Sequence, residues 1–149
     1  MSLIRSATVS DLDALSLLLD GYRRFYAQPG DIPAARAFLV QRLGLSDSRL
    51  LVHEDASAKL TGFVQLYPAL STVSLAPRWT LGDLFVSPEA RERGTGRALM
   101  QAAIDLARSQ GVKRLTLNTQ TQNHLAQRLY ESLGWQRNDA FYAYTLDLD

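Results

Sequence analysis

Residues 91–97, Arg-Glu-Arg-Gly-Thr-Gly-Arg, constrain the fold of this chain more than any other feature of its sequence. An apolar, strand-like run ends just before them at Val86, and a helix-like run begins just after them at Ala98. Gly94 and Gly96 leave backbone N–H groups accessible where a helix begins and its first amides lack partners within the helix. Together with the three arginines, this arrangement predicts a loop that binds an anionic group such as a pyrophosphate. The alternative is a plain strand-to-helix turn, with glycine serving backbone geometry and arginine solubility.

Two common phosphate-binding motifs do not fit this loop. A P-loop ends in Gly-Lys followed by serine or threonine, whereas Gly96 is followed by Arg97. A dinucleotide-binding fingerprint needs a third glycine, where this chain has Leu99, and an acidic residue at the end of the next strand, which residues 114–119 lack. Nucleoside triphosphates and NAD are therefore poor candidates as ligands.

The pattern of apolar residues and turn signals predicts a single domain over residues 1–149, without repeats or linkers. Helices are expected after a cap at Thr8 or Ser10 to near Gly21, from Pro33, and over 94–110 and 123–133. Strands are expected over 3–7, 50–54, 60–67, 78–86, 114–119 and 141–148, with 72–75 as an extension of the third. Alternating strands and helices after residue 78 predict a partly parallel sheet, and the earlier hairpin makes the whole chain mixed α/β.

Composition excludes several other classes of function. The chain has no cysteine, and its histidines, His53 and His124, lack metal-ligand spacing, so we expect no metal site. A net charge of +1 gives no argument for nucleic-acid binding. Without an apolar run of membrane-spanning length or a signal-peptide pattern, we expect a cytoplasmic protein with no membrane partner.

Two motifs resemble those of one enzyme superfamily. The pattern Arg-x-x-Gly-x-Gly of residues 91–96, preceded by the run 84–88, resembles the acyl-CoA signature of the GNAT N-acetyltransferase superfamily. The pattern Asn-x-x-Ala-x-x-x-Tyr-x-x-x-Gly-aromatic of residues 123–135 is similar to a second motif of that superfamily. The likeness covers residues 60–147, and its segments look most like the branch of histone/polyamine and diamine acetyltransferases.

The resemblance implies a GNAT fold, a mixed and mostly antiparallel sheet with a splayed parallel central pair and four flanking helices. It implies acetyl-CoA as cosubstrate and direct acetyl transfer to a primary amine, either polyamine-like, aminoglycoside-like or a protein amino group. A homodimer is common in this family. The alternative is a non-catalytic CoA-binding module that serves regulation or partner binding with the same fold.

The same resemblance implies roles for individual residues. Tyr130 is implied as the general acid for the leaving thiolate, and it shares a helix face with Asn123 because seven residues separate them. The residues implied to bind acetyl-CoA are Leu84, Val86, Arg91, Arg93, Gly94, Thr95, Gly96, Arg97 and Asn123.

Acceptor recognition is predicted from aromatic and acidic residues that suit an ammonium group. They are Tyr22, Phe25, Tyr26, Asp31 and Asp83. The alternative is that the aromatics pack the helix and the aspartates are solvated, cap helices or pair with arginine.

The general base is not identified by the sequence. Strict alternation along the strand 78–86 predicts Gly82 on one face and Asp83 on the other. Polyamine acetyltransferases of the family have a glutamate base at the position of Gly82, so that base is missing here. The alternatives are a chain of water molecules as base or an amine that arrives neutral.

Overall fold

A computed structural model describes residues 1–149, which form two compact units, Met1–Leu117 and Asn118–Asp149. The second unit holds one helix, α4 (His124–Ser132). None of the helices is long and apolar enough to cross a membrane. The elements of the first unit are, in chain order, β1 (Leu3–Ser6), α1 (Leu12–Phe25), α2 (Ile32–Leu45), β2 (Arg49–Glu54), β3 (Leu60–Tyr67), β4 (Leu70–Ser71), β5 (Ala76–Val86), α3 (Thr95–Ser109) and β6 (Arg114–Thr116).

The strands of the first unit form one open, mixed sheet. Its order is β1-β2-β3-β5-β4 with antiparallel neighbours, and β6 pairs with β5 in parallel. The parallel pair is possible because α3 carries the chain back between β5 and β6. This arrangement confirms the predicted α/β class and the mixed sheet.

Helices cover both faces of the sheet. Leu15 of α1 and Leu39 of α2 are buried in one cluster with Phe63 of β3. The opposite face of β3 meets α3, since a Cβ on Gly62 would lie only 3.0 Å from a methyl carbon of Leu99. Glycine at this position lets α3 pack close to the sheet, and this packing fixes the start of α3 beside the end of β5.

Several boundaries differ from the sequence-based predictions. Helix α1 continues past Gly21, which lies against the ring of Phe85, and ends at Phe25. Two residues later Ala27 has a φ of +60°. The short strand β4 precedes the predicted extension, because residues 72–75 form the turn that returns the chain to β5. Strand β6 ends at Thr116, three residues before its predicted end.

The strand predicted over residues 141–148 is not formed. This segment has no regular secondary structure, and the rings of Phe141, Tyr142 and Tyr144 are exposed, so they are not part of a core. Alternating apolar residues are compatible with a strand, but a strand also needs a neighbour for its backbone N–H and C=O groups. The sequence pattern shows the alternation and says nothing about a neighbouring strand, and the prediction is wrong for that reason.

Arg5 joins β1 to the turn that precedes α1. Its guanidinium donates hydrogen bonds of 2.8 Å to both carboxylate oxygens of Asp11 and a further one to Glu54. The Asp11 side chain is buried, and the hydrogen bonds from Arg5 hold the pKa of its carboxyl below the ordinary range. A carboxyl with a lowered folded-state pKa stabilises the fold above its unfolded pKa of about 4 and loses this contribution as the pH falls.

We expect Arg5→Met to lower the free energy of unfolding by about 2 kcal/mol at pH 7, because it leaves a buried carboxylate without its charged partner. The difference from wild type should shrink below about pH 4. Urea unfolding at neutral and acidic pH measures both effects. Arg36→Met is the control, since its partner Asp13 is exposed. Equal losses in the two variants would contradict the assigned role of Arg5.

Candidate active site

The end of β5 has an open edge on the side of β6. The two strands pair over three residues that end at Thr80, and β5 beyond Thr80 pairs with β3 alone. Ser87 donates its N–H to the carbonyl of Thr61 at 2.8 Å, in the direction of β3. Because backbone groups alternate in direction along a strand, the N–H groups of Leu84 and Val86 point to the open edge. An extended ligand can hydrogen-bond to such an edge as an added strand does.

Arg91 ties the following loop to this edge. Its Nε donates to the carbonyl of Val86 at 2.9 Å, and its guanidinium carbon lies 5.6 Å from the centre of the Phe85 ring. The side chain therefore fixes the direction in which the chain leaves β5.

The loop enters α3 through Gly94, whose φ of +80° lies in the left-handed region that glycine adopts without penalty. The Gly94 carbonyl accepts the first hydrogen bond of the helix, so the N–H groups of Thr95 and Gly96 are not used by the helix. A Cβ on Gly94 would meet nothing within 4 Å, and the side chains of Arg93 and Arg97 are exposed. Open space, unused amides and positive charge are the features that an anionic group requires.

A β-bulge in β5 changes which of its residues share a face. Asp83 pairs with Gln65 and Leu81 pairs with Leu66. Gln65 and Leu66 are consecutive in β3, so Gly82 is an extra residue of β5 that has no partner of its own. The strict alternation predicted for this strand is therefore interrupted at Gly82.

Gly82 and Asp83 consequently face the same side, and the prediction of opposite faces is wrong. A Cβ on Gly82 would lie 2.5 Å from Cε2 of Tyr67, whose hydroxyl donates to Oδ2 of Asp83 at 3.3 Å. Glycine leaves room for the Tyr67 ring at this position. A glutamate here would have to displace that ring. The absence of a glutamate base at position 82 and the position of the Tyr67 ring therefore depend on each other.

Asp83 is the centre of a cluster of neutral hydrogen-bond donors. Gln65 Nε2 donates to its Oδ2 at 3.1 Å, and the hydroxyl of Tyr67 donates to the same oxygen at 3.3 Å. Burial, and then the negative charge of Asp83, raise the pKa of Tyr67 and of the nearby Tyr22 above the ordinary range. Their hydroxyls therefore stay protonated at neutral pH. These partners replace the arginine that the sequence left open for Asp83.

Neither Gln65 nor Tyr67 was among the predicted site residues. The apolar pattern of residues 60–67 assigned both of them to a strand, and strand alternation alone does not reveal which neighbour they face across a bulge.

The first helix contributes the predicted aromatic residues. The rings of Tyr22 and Tyr26 meet edge-on with centroids 5.2 Å apart, and Phe25 meets Tyr26 at the same distance. The structure thus brings Tyr22 and Tyr26 to the Asp83 cluster, while Phe25 lies further out and is largely exposed.

Asp31 has a capping role instead. Its carboxylate accepts the N–H of Ala34 at 3.1 Å at the start of α2, and its own N–H donates to Asp20 at 2.7 Å. Helix capping was the alternative that the sequence left open for this residue.

The second unit carries the remaining predicted residues. Asn123 caps α4, since its side-chain oxygen accepts the N–H of Ala126 at 3.2 Å. After α4, Gly134 has a φ of +96°, and this turn lets the N–H of Trp135 donate to the carbonyl of Tyr130 at 3.1 Å. The rings of Tyr130 and Trp135 lie 6.3 Å apart, and the Tyr130 side chain is half-buried. The glycine and the aromatic of the motif thus hold Tyr130 in a fixed local setting.

Comparisons with known proteins agree with this architecture. The model of the acetyltransferase (GNAT) family matches residues 15–135. The chain is 42% identical over 145 residues, 97% of each protein, to the uncharacterized N-acetyltransferase YhfO of Bacillus subtilis (strain 168). A crystal structure of a probable acetyltransferase has a TM-score of 0.93 at 36% identity, covering 99% of this chain and 98% of the other. Streptothricin acetyltransferase of Streptomyces lavendulae is 36% identical over 90 residues, which are 60% of this chain and 46% of that enzyme.

Proposed function

Because the chain belongs to the acetyltransferase (GNAT) family, we propose that it transfers the acetyl group of acetyl-CoA directly to a primary amine. The observation that carries this proposal is the continuity of the open edge of β5 with the glycine-capped start of α3. The edge offers the N–H groups of Leu84 and Val86, and a few residues later the loop offers those of Thr95 and Gly96. An extended, amide-containing arm that ends in a pyrophosphate fits both parts.

Acetyl-CoA supplies the acetyl thioester when it is bound. In our proposal, Leu84 and Val86 hydrogen-bond to its pantetheine arm, and the side-chain amide of Asn123 holds the distal part of that arm. The pyrophosphate is held by the glycine loop, whose residues are Arg91, Arg93, Gly94, Thr95, Gly96 and Arg97. Arg91 has the additional task of orienting this loop on Val86.

The transfer requires three proton movements. An alkylammonium with a pKa near 10.4 has to lose a proton before its nitrogen can attack, which costs about 4–5 kcal/mol at pH 7. Attack forms a carbon–nitrogen bond, and collapse of the tetrahedral intermediate breaks the carbon–sulfur bond. The nitrogen releases its second proton to solvent, and the leaving thiolate gains a proton. We assign the proton gained by sulfur to the hydroxyl of Tyr130 as general acid, and solvent restores that hydroxyl.

The acceptor class is proposed as a small cationic amine, polyamine-like or aminoglycoside-like, with a protein amino group as the second candidate. The partial match to streptothricin acetyltransferase supports a small molecule. Membership of the histone/polyamine and diamine branch stays a prediction. The absence of the glutamate of the polyamine enzymes counts against it, since Tyr67 occupies the space that a glutamate at position 82 would need. The family match crosses from the first unit into the second, which supports a single acetyltransferase domain.

The test is an amine panel with acetyl-CoA. Free thiol release is followed for polyamines, aminoglycosides and lysine peptides, and acetylated products are identified by mass spectrometry. Thiol release that depends on one acceptor class, with the matching acetylated product, supports the proposal. Tight CoA binding by calorimetry without any acetylated product would favour the non-catalytic CoA-binding module instead.

A further inference from the structure

Building on the acetyl transfer proposed above, on which this role rests, we propose that Asp83 binds the positively charged amino group of the acceptor. In the same arrangement, Tyr67 is a positioning residue that holds the Asp83 carboxylate in place. The enzyme therefore selects amines that carry a positive charge at neutral pH, and aromatic amines, which are uncharged there, are excluded.

Asp83 carries a charge without a charged partner. Its hydrogen-bond donors, Gln65 and Tyr67, are neutral. A half-buried carboxylate is less screened by water than one on the surface, so a cation brought by a ligand is bound more strongly there. The ion pairs of the first unit are formed by other carboxylates, namely Asp11, Asp13, Asp20, Asp47, Glu54, Glu89 and Asp105.

Aromatic rings surround this carboxylate. The ring of Tyr22, whose hydroxyl has its pKa raised by burial and by the charge of Asp83, lies 5.6 Å from Phe63, 5.7 Å from Phe85 and 5.2 Å from Tyr26, measured between centroids. Ammonium groups are attracted by aromatic rings as well as by carboxylates, whereas an uncharged amine gains neither attraction. Both components of an ammonium site are thus present in one cluster.

Asp83 directly precedes Leu84, whose N–H points to the open edge proposed for the pantetheine arm. An amino group bound to Asp83 therefore lies close to an acetyl-CoA arm bound at Leu84, as direct transfer from a bound thioester requires.

The bulge at Gly82 makes this arrangement possible. Gly82 leaves the space that the Tyr67 ring fills, and the ring places its hydroxyl on Oδ2 of Asp83. A side chain at position 82 displaces the ring and removes this hydrogen bond. Gly82 and Tyr67 therefore act through Asp83 rather than on the substrate.

Asp83→Asn tests the proposal because it keeps the shape of the side chain and removes its charge. We expect KM for the best alkylamine of the panel to rise at least tenfold, while the affinity for CoA measured by calorimetry stays within twofold of wild type. Asp105→Asn is the matched control, since it removes an exposed carboxylate of α3 from the same unit and should leave KM unchanged. An unchanged KM in folded Asp83→Asn overturns the proposal, even if acetyl transfer itself is established.

A binding measurement separates failure of this site from failure of acetyl transfer. Binding of 1,4-diaminobutane and of aniline to the CoA-saturated protein is followed by NMR titration for wild type and Asp83→Asn. We expect the diamine to bind wild type alone and aniline to bind neither protein. If this holds without turnover, the ammonium site stands and the proposed transfer fails. If the diamine binds both proteins equally or binds neither, the ammonium site is overturned.

The positioning role of Tyr67 is tested by a double-mutant cycle. Tyr67→Phe should raise KM for the alkylamine about threefold, with a smaller change in kcat, and should have no further effect when Asp83 is already asparagine. Gly82→Ala should raise KM in the same way, because it displaces the ring while both partners are retained. Independent, additive effects of Tyr67 and Asp83 would contradict a role of Tyr67 through Asp83.

Discussion

Replacing Tyr130 with phenylalanine is expected to lower turnover at saturating acetyl-CoA by roughly 10²–10⁴. The substitution keeps the ring and its contact with Trp135, whose ring centroid lies 6.3 Å away, and it removes the hydroxyl alone. If this hydroxyl protonates the leaving thiolate and proton transfer to sulfur limits the rate, its loss slows the chemical step without weakening acetyl-CoA binding. The melting temperature should change little, because nearly all of the side-chain volume remains.

Tyr142→Phe provides the matched control for this experiment. It removes the same hydroxyl from an exposed tyrosine of the same unit, and full turnover is expected. Turnover and a thermal melt are measured for both variants. A folded Tyr130→Phe protein that retains more than about a third of wild-type turnover would contradict the general-acid role. A lowered melting temperature with near-normal turnover would instead assign Tyr130 to packing.

The sequence predicted the order and type of most elements of the first unit, because their signals are local. Apolar spacing, turn residues and a glycine at the start of α3 act within a few residues of one another. The strand Leu60–Tyr67 has its predicted bounds, and Pro33 lies in the first turn of α2 as predicted. The loop from Arg91 to Gly96 likewise precedes a helix, as its glycines and the apolar runs on either side indicated.

The Asp83 cluster could not be predicted in the same way. Its members come from β3, β5 and α1, and the side on which Asp83 lies depends on one extra residue in the register with β3. A bulge shifts every following side chain relative to the strict alternation, yet a glycine in a strand signals several different features besides a bulge. Sequence alternation therefore separated Gly82 from Asp83, whereas the bulge brings both to Tyr67.

The segment 141–148 shows a second limit of sequence patterns, a predicted strand that is not formed. Its alternating pattern is that of a strand, but strand formation depends on a partner that lies elsewhere in the chain or on another molecule. The structure gives this segment no regular conformation. Local propensity is thus a sufficient guide for a helix, whose hydrogen bonds are internal, and an insufficient one for a terminal strand.

Gly94→Val is expected to weaken CoA binding at least tenfold, which corresponds to about 1.4 kcal/mol. Gly94 caps the start of α3, and the space where its Cβ would stand is open, so a valine side chain there fills the approach to the N–H groups of Thr95 and Gly96. A pyrophosphate held by those groups would lose both close contact and favourable backbone dipoles. Calorimetric titration with CoA, on protein whose folding is checked by a thermal melt, gives the affinity directly.

Valine at position 94 would also strain the left-handed backbone there. This strain is a second possible cause of weaker CoA binding, and it has to be separated from the filling of the phosphate approach. Gly111, just beyond the other end of α3, has a φ of +78° against +80° for Gly94, and a Cβ there also meets nothing within 4 Å. Gly111→Val therefore imposes the same backbone strain on the same helix, far from the loop. We expect similar losses of melting temperature in both variants and a loss of CoA affinity in Gly94→Val alone. Equal CoA affinities in the two folded variants would show that the loop does not hold the pyrophosphate, and the positive charge of residues 91–97 would then serve solubility.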